Sequence, residues 1–495
     1  MTTVVLDAPG LGDRSYLISD GEVGVVVDPQ RDPFPYLQEA ERLGVSITVV
    51  LETHIHNDYL SGGLALARAT GARYAIPTGE PVSFSEEFRA LDDGDAVATG
   101  RLEITAIATA GHTAHHLSYL VKLADGEDDE EAGGHVVCTG GSLLSSSTGR
   151  TDLLGPALAE TLAHSQWHSV RRLLTTLPKH ARILPTHGFG SFCSATPTHG
   201  DVTGMATIAQ ELDQNPAALL GEEDFVATLL GDPLPIPAYY RHMAPLNRKG
   251  PAAPSFEPAD ELDADALEDA VRGAEWVVDL RQRREFAAGH LPGTLNLELG
   301  VNLTTYLGWI VPWESDLVLI ADDPAEIAEA RRLIARIGRD DLSGTALWGT
   351  TVSALGGTQP GGGSRLNNYP VASFSDLAEA WSDREASRPH VFDVRHRHEW
   401  QAGHLRGARH LALPELIGRR AEVPTTVQVW VHCGGGFRAA AAASLLSGWG
   451  ASPVFIDDTW ENAERTDLPI VTQGDYAAPE TSSGAGALRA ARHDR

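Results

Sequence analysis

Short apolar runs alternate with polar, glycine-bearing turns through the first half of the chain. The segment "GEVGVVVDPQ" (21–30) reads as a strand ending in a turn. "ITVVLETHIHND" (47–58), "LEITAIATAGHT" (102–113), "GHVVCTGG" (134–141) and "RILPTHG" (182–188) repeat that design. In the last four, the β-type run ends in a loop bearing His54 and His56, His112, Gly140 and Gly141, or His187. Helical patterns separate the runs. Loops at one edge of a sheet can converge on one site, so these residues become candidates for shared chemistry.

Two proline- and glycine-rich stretches interrupt the pattern, "GDPLPIPAYYRHMAPLNRKGPAAPSFEP" (231–258) and "LGGTQPGGGSRLNNYP" (355–370). Both read as linkers. Each linker leads into one copy of an internal repeat. "WVVDLRQRREFAAGHLPGTLNLEL" (276–299) aligns with "HVFDVRHRHEWQAGHLRGARHLAL" (390–413). Each copy continues into a second apolar strand and a helix, an alternation that implies a parallel sheet with helices outside. The expected domains are therefore 1–240, 255–352 and 366–476, with a disordered tail at 477–495. A prior of about 100–200 residues per domain agrees.

Composition narrows the partners. The net charge of −29, from 38 basic and 67 acidic residues, argues against nucleic acid and anionic membranes. Part of it lies in "DGEDDEEAGG" (125–134), which reads as a solvated loop. No apolar run approaches the roughly 18 residues of a membrane helix. The N-terminus lacks a secretory pattern. A cytoplasmic protein is expected, and an acidic surface leaves room for a homo-oligomer. Three cysteines, Cys138, Cys193 and Cys433, make no disulfide framework. Cys138, inside an apolar run, reads as core.

Cys433 stands apart. It ends an apolar strand and precedes Gly434, Gly435, Gly436, Phe437 and Arg438, which open an alanine-rich helix. Glycines let the backbone turn its N–H groups inward as a cradle. The helix start and Arg438 add positive potential, which favours a thiolate nucleophile or a bound persulfide. This Cys-x-x-Gly-x-Arg loop, with the upstream "DVRHRHEW…GHLRGA", resembles the rhodanese family. The resemblance implies that Cys433 carries sulfane sulfur as a persulfide, with thiosulfate or sulfite as partners. It makes Asp393 and Arg395 structural. In the middle copy, "LVLIADDPAEIAEARRLIARIG" places Asp322 where the third domain has Cys433. Asp323 reads there as a helix cap with Pro324 at the first helical position. An aspartate cannot take up sulfane sulfur, so the middle copy resembles an inactive rhodanese domain.

The first domain resembles the metallo-β-lactamase fold, an αββα sandwich, through "THIHNDY", "AGHTAHHLSY", "CTGGSLLSSSTGRTDLLG" and "PTHGFGSFC". The order matches the branch holding persulfide dioxygenases and glyoxalase II-like hydrolases, and "GRTDL" leans toward the former. The whole chain is similar to fusions of persulfide dioxygenase, inactive rhodanese and rhodanese domains: an α/β multidomain protein. The resemblance implies one Fe(II), or zinc, held by residues among His54, His56, His112, Asp58 and His187. Tyr59 replaces the final histidine of the His-x-His-x-Asp-His motif, and Gly141 stands where the iron enzymes carry an aspartate. Three arrangements stay open: a three-histidine site of His54, His56 and His112; a site completed by Asp58, His187, His115 or His116; or no metal. In the fusion family a cysteine like Cys193 lies near the metal, where it would hold persulfide sulfur or gate access. The implied activity is oxidation of a low-molecular-weight thiol persulfide to sulfite, coupled to sulfur transfer at Cys433. A zinc-dependent thioester hydrolase joined to a rhodanese, or a sulfurtransferase with a degenerate first domain, are the alternatives.

Overall fold

The computed structural model describes residues 1–124, 134–188, 190–195, 205–231, 233–273, 275–352, 365–381, 384 and 388–472. Nearly all of the expected acidic loop, most of the second linker and the expected tail lie outside the described residues. The chain divides into two compact units, Met1–Asn367 and Asn368–Arg495.

Strand periodicity explains the first unit's main core. In Val23–Val27 and Ser46–Leu51, Val25, Val27, Val49 and Leu51 face one way and Val26 and Val50 the other. A period of two buries both faces. One face meets Ile104, Tyr119, Val121 and Val136 of a second sheet. The other packs against the helices Phe34–Leu43 and Gly63–Thr70. The six strands of the first sheet lie in sequence order, from Thr2–Ala8 to Arg89–Leu91. The second sheet runs Arg182–Pro185, His135–Gly140, Leu117–Leu123, Leu102–Ala108, Ala96–Thr99. Its outer face is covered by Ala163, Val170, Leu173 and Leu174 of the helix Pro156–Thr176. The layers are thus helix, sheet, sheet, helix, as expected of an αββα sandwich. Cys138 sits in the inter-sheet core.

The sequence repeat folds as a topological repeat. In the first unit a parallel sheet runs Leu295–Asn296, Trp276–Asp279, Leu317–Ala321, Gly344–Leu347. In the second unit the equivalent strands are Arg409–His410, His390–Asp393, Gln428–His432 and Ser452–Ile456, in the same order, with Val371–Ala372 added. Each copy has the same internal brace. Arg395 makes a bidentate pair with Asp393, bonds the Gly403 carbonyl at 2.6 Å, and lies 3.8 Å over Trp460. Arg281 does likewise with Asp279, Gly289 and Trp348.

The middle sheet belongs to the first unit and grips it through the backbone. The Leu60 N–H donates to the Arg336 carbonyl at 2.8 Å, and the Arg336 guanidinium donates to Pro9 O at 2.9 Å. Arg31 pairs with Asp340, and the Thr305 hydroxyl donates to Gly10 O. Gly10, at φ +91°, approaches so closely that a Cβ there would lie 2.4 Å from Val301 O. Phe192 meets Trp309 edge-on at 4.6 Å. Among the described residues no helix is long and apolar enough to cross a membrane.

The brace yields a stability prediction. Arg395 and Asp393 are 3% and 0% exposed, so Asp393→Ala strands a buried cation. Urea unfolding of the second unit should show a loss of about 3–5 kcal/mol.

Candidate functional site

The first site is organised around Asp28. It follows the strand Val23–Val27 in a left-handed conformation, φ 52°, and is fully buried. Its carboxylate accepts from the Thr53 N–H at 2.6 Å, the Thr53 hydroxyl at 2.7 Å and the Thr186 hydroxyl. It thereby ties together the loops that follow three strands, two from the first sheet and one from the second.

That network sets each imidazole. Since the Thr53 hydroxyl donates to Asp28, its oxygen accepts from His54 Nδ1 at 2.9 Å, leaving the lone pair on Nε2. His112 Nδ1 donates to the Arg150 carbonyl at 2.8 Å, so its lone pair also lies on Nε2, which is buried without a partner. His56 Nε2 lies 3.3 Å from Asp28, 3.4 Å from Glu52 and 2.9 Å from the Tyr59 hydroxyl, while its Nδ1 is unpartnered. His187 Nδ1 contacts Asp13 at 2.8 Å and Asp58 at 3.2 Å, and its Nε2 lies 3.3 Å from His54 Nε2. A histidine held by a carboxylate or carbonyl on one nitrogen, with the other free, is the arrangement metal ligands adopt. Two nitrogens 3.3 Å apart can both reach one ion at about 2.0–2.1 Å. The donor set therefore fits a metal.

The five residues expected as ligands, His54, His56, Asp58, His112 and His187, are all buried in this one place. The His112 ring lies 4.9 Å from the His54 ring and the His187 ring 5.3 Å, so both flank His54. His54, His56 and His187 bring one ligand atom each within 4.8 Å of one another, and His112, His187 and Cys193 do the same. Asp58 joins through His187 with Asp13. His116 stacks on His54 at 4.9 Å, but both its nitrogens are engaged, with the Thr109 hydroxyl and the Gly141 N–H. His115 is exposed, against Gly79. Tyr59 stacks on His56 and donates to the Asp28 carbonyl at 3.1 Å. It acts as a support for His56. The space a side chain at 141 would need is filled by the His112 ring: a Cβ there would lie 2.2 Å from its Cδ2.

Electrostatics separate the rings. Burial holds His54 and His112 well below the ordinary imidazole range, with neighbouring histidines adding to it. Those two are neutral, the form that binds metals. Burial opposes charge on His56 and His187 too, but nearby acids outweigh it. Asp28 and Glu52 push His56 up to about 9, and Asp58 and Asp13 push His187 up to about 10. Burial, then Asp58, pushes Asp13 up to about 7. Asp58 goes down, because His187 overcomes its burial. Asp13, Asp28 and Glu52 were not singled out by sequence. Each is one acid at a strand end, and only the fold aims it at an imidazole.

The second site lies in the second unit. Cys433 directly follows the strand Gln428–His432 and is 2% exposed. The Gly436 N–H donates to its Sγ at 3.1 Å, and Gly436 needs φ +92° to do so. A Cβ on Gly435 would meet nothing within 4 Å, so that side of the loop is open. Arg438 spans both oxygens of Glu399, at 2.5 and 2.8 Å, and lies under Gly434, whose Cβ would sit 3.1 Å from its Nη2. In the middle copy the helix starts at Pro324, capped by Asp323 in a capping box with Glu326. That loop has neither thiol nor glycine cradle.

Family models match two regions separately. The metallo-beta-lactamase superfamily model matches residues 9–187, and the rhodanese-like domain model matches 376–463. The human mitochondrial persulfide dioxygenase is 26% identical over 239 residues, 48% of this chain and 83% of that protein. A hydroxyacylglutathione hydrolase of Rhodospirillum rubrum is 31% identical over 183 residues, 37% of this chain and 61% of its own length. A solved metallo-beta-lactamase from Staphylococcus aureus superposes with a TM-score of 0.60 at 26% identity, covering 70% of this chain and 98% of that one.

Gly141→Asp should displace His112 rather than restore a ligand, lowering metal affinity about 10–100-fold in competition titrations. In the second unit, burial would raise the Glu399 carboxyl, but Arg438 brings it down to about 2 from 4.5. Its stabilising contribution is complete above about pH 4.5 and is lost as pH falls toward 2. Glu399→Gln should flatten that acid limb in unfolding curves recorded against pH.

Proposed function

For a chain that joins an N-terminal metallo-β-lactamase-superfamily domain to a C-terminal rhodanese-like domain, we propose a role in sulfane-sulfur metabolism. The first domain oxidises a low-molecular-weight thiol persulfide to sulfite, and the last transfers sulfane sulfur through Cys433. The observation that carries this reading is the cluster of buried imidazoles, two of them neutral with lone pairs turned inward, in a chain that also presents a thiol within a glycine cradle. We assign the three domains to 1–240, 255–352 and 366–476. The middle one is a rhodanese-like copy that kept the Asp279–Arg281 brace and lost the nucleophile.

The chain's residues divide the work. His54, His56 and His187, with His112 opposite, would hold one iron. Iron supplies the redox chemistry by which O₂ oxidises the outer sulfur, a change zinc cannot support. Asp28 and Glu52 orient His56, Asp13 and Asp58 orient His187, and the Arg150 carbonyl orients His112. The balanced reaction is RSSH + O₂ + H₂O → RSH + SO₃²⁻ + 2H⁺. At the second site the Cys433 thiolate attacks the outer sulfur of thiosulfate. An S–S bond forms, the old one breaks, and sulfite leaves. The reverse step returns sulfur to sulfite as thiosulfate. The Gly436 N–H and the helix start stabilise negative charge on the sulfur throughout. Arg438 holds the loop to Glu399.

With glutathione persulfide, His54→Ala should reduce O₂ uptake to background and leave thiosulfate-dependent sulfur transfer intact. Cys433→Ser should do the converse. Undiminished O₂ uptake in His54→Ala would refute the first assignment, and undiminished sulfur transfer in Cys433→Ser the second. Similarity to hydroxyacylglutathione hydrolases motivates one competing reading. Zinc in freshly isolated protein, thioester cleavage and no O₂ uptake would establish it instead.

A further inference from the structure

We propose that Cys193 is itself a metal ligand, completing with His112 and His187 a set of two imidazoles and one thiolate for a divalent ion such as zinc or ferrous iron. This rests on the reading that the first domain binds a metal, and adds a donor of a different kind.

One ligand atom from each of the three residues lies within 4.8 Å of the others, and all three side chains are 0% exposed. A cysteine alone would mean little. Here a second observation points inward: His112 Nε2 carries the lone pair and is buried without a hydrogen-bond partner. One residue fixes two of the donors. The Arg150 carbonyl accepts from His112 Nδ1 at 2.8 Å, and the Arg150 N–H donates to the Cys193 carbonyl at 2.9 Å. The Arg150 side chain also pairs with Asp152 and reaches Phe192 O at 3.1 Å, immobilising the loop. His187 is positioned from its other nitrogen by Asp13.

Charge supplies the reason. The His54, His56 and His187 group offers three nitrogens and no anion, and position 141 offers no carboxylate. A divalent ion held by nitrogens alone gains no charge neutralisation from its ligands, and the nearest carboxylates, Asp13 and Asp58, are engaged with His187 Nδ1. A thiolate removes one unit. Imidazole and thiolate together suit borderline-soft ions. On binding, Cys–SH + M²⁺ → Cys–S–M⁺ + H⁺: the S–H bond is exchanged for S–M and the proton goes to solvent.

X-ray absorption on the zinc-loaded full-length protein tests this. Cys433→Ser serves as background, to remove the other site's thiol. The expected shell contains one sulfur at about 2.3 Å with nitrogens at about 2.0–2.1 Å. Adding Cys193→Ser should convert it to nitrogen and oxygen only. A shell without sulfur when Cys193 is present overturns the proposal, and this spectrum decides even if the serine variant misfolds. A sulfur that survives Cys193→Ser overturns it too. Sulfur in the shell but no O₂ uptake by the iron form would fail the oxidation reading alone. O₂ uptake with no sulfur in the shell would fail thiolate ligation alone.

Discussion

The buried carboxylate of Asp28 is the constraint on which the first site depends. An aspartate held at φ 52° costs on the order of 1 kcal/mol of backbone strain, and burying its charge costs more. Both are offset because three donors and the His56 ring surround it, and His56 and the hydrogen bonds keep its pKa below the usual value despite burial. Through Thr53 it selects the tautomer of His54, and through Thr186 it anchors the loop that carries His187. One acid, placed where the two sheets converge, therefore decides which nitrogen His54 presents and fixes the loop that carries His187.

Much of this was readable from the chain because the chemistry-bearing residues come after apolar runs in a fixed order. His54, His56, His112 and His187 each come just after a strand, and strand ends of a layered sheet gather at one edge. The grouping was not readable. His112 and His187 both follow strands of the second sheet, and how each meets His54 depends on how the two sheets close. Gly141 was visible as a missing acid. That its space holds the His112 ring depends on a distance, which no motif encodes. Asp13, Asp28 and Glu52 were hidden for a related reason: single acids at strand ends carry no spacing signal.

The two copies of the repeat share one feature and differ in another. The Asp–Arg pair and its tryptophan recur in both copies, since removing either partner would strand a buried charge. The four-residue loop from Cys433 to Gly436 has no such hold on the fold. In the middle copy two aspartates and a proline start the helix directly, with the cap supplied by Asp323. The glycines were therefore the informative sign in the sequence: Gly436 requires a conformation that a helix start does not otherwise need.

The middle sheet bears directly on the loops of the first site. Leu60 comes after Tyr59, Phe192 precedes Cys193, and both are met by the middle sheet's layer, through Arg336 and Trp309. Much of the grip runs through carbonyls at Pro9, Gly10 and Arg336. The middle sheet thus serves as masonry for the loops around the histidine cluster, in a copy whose loop at Asp322 carries no thiol.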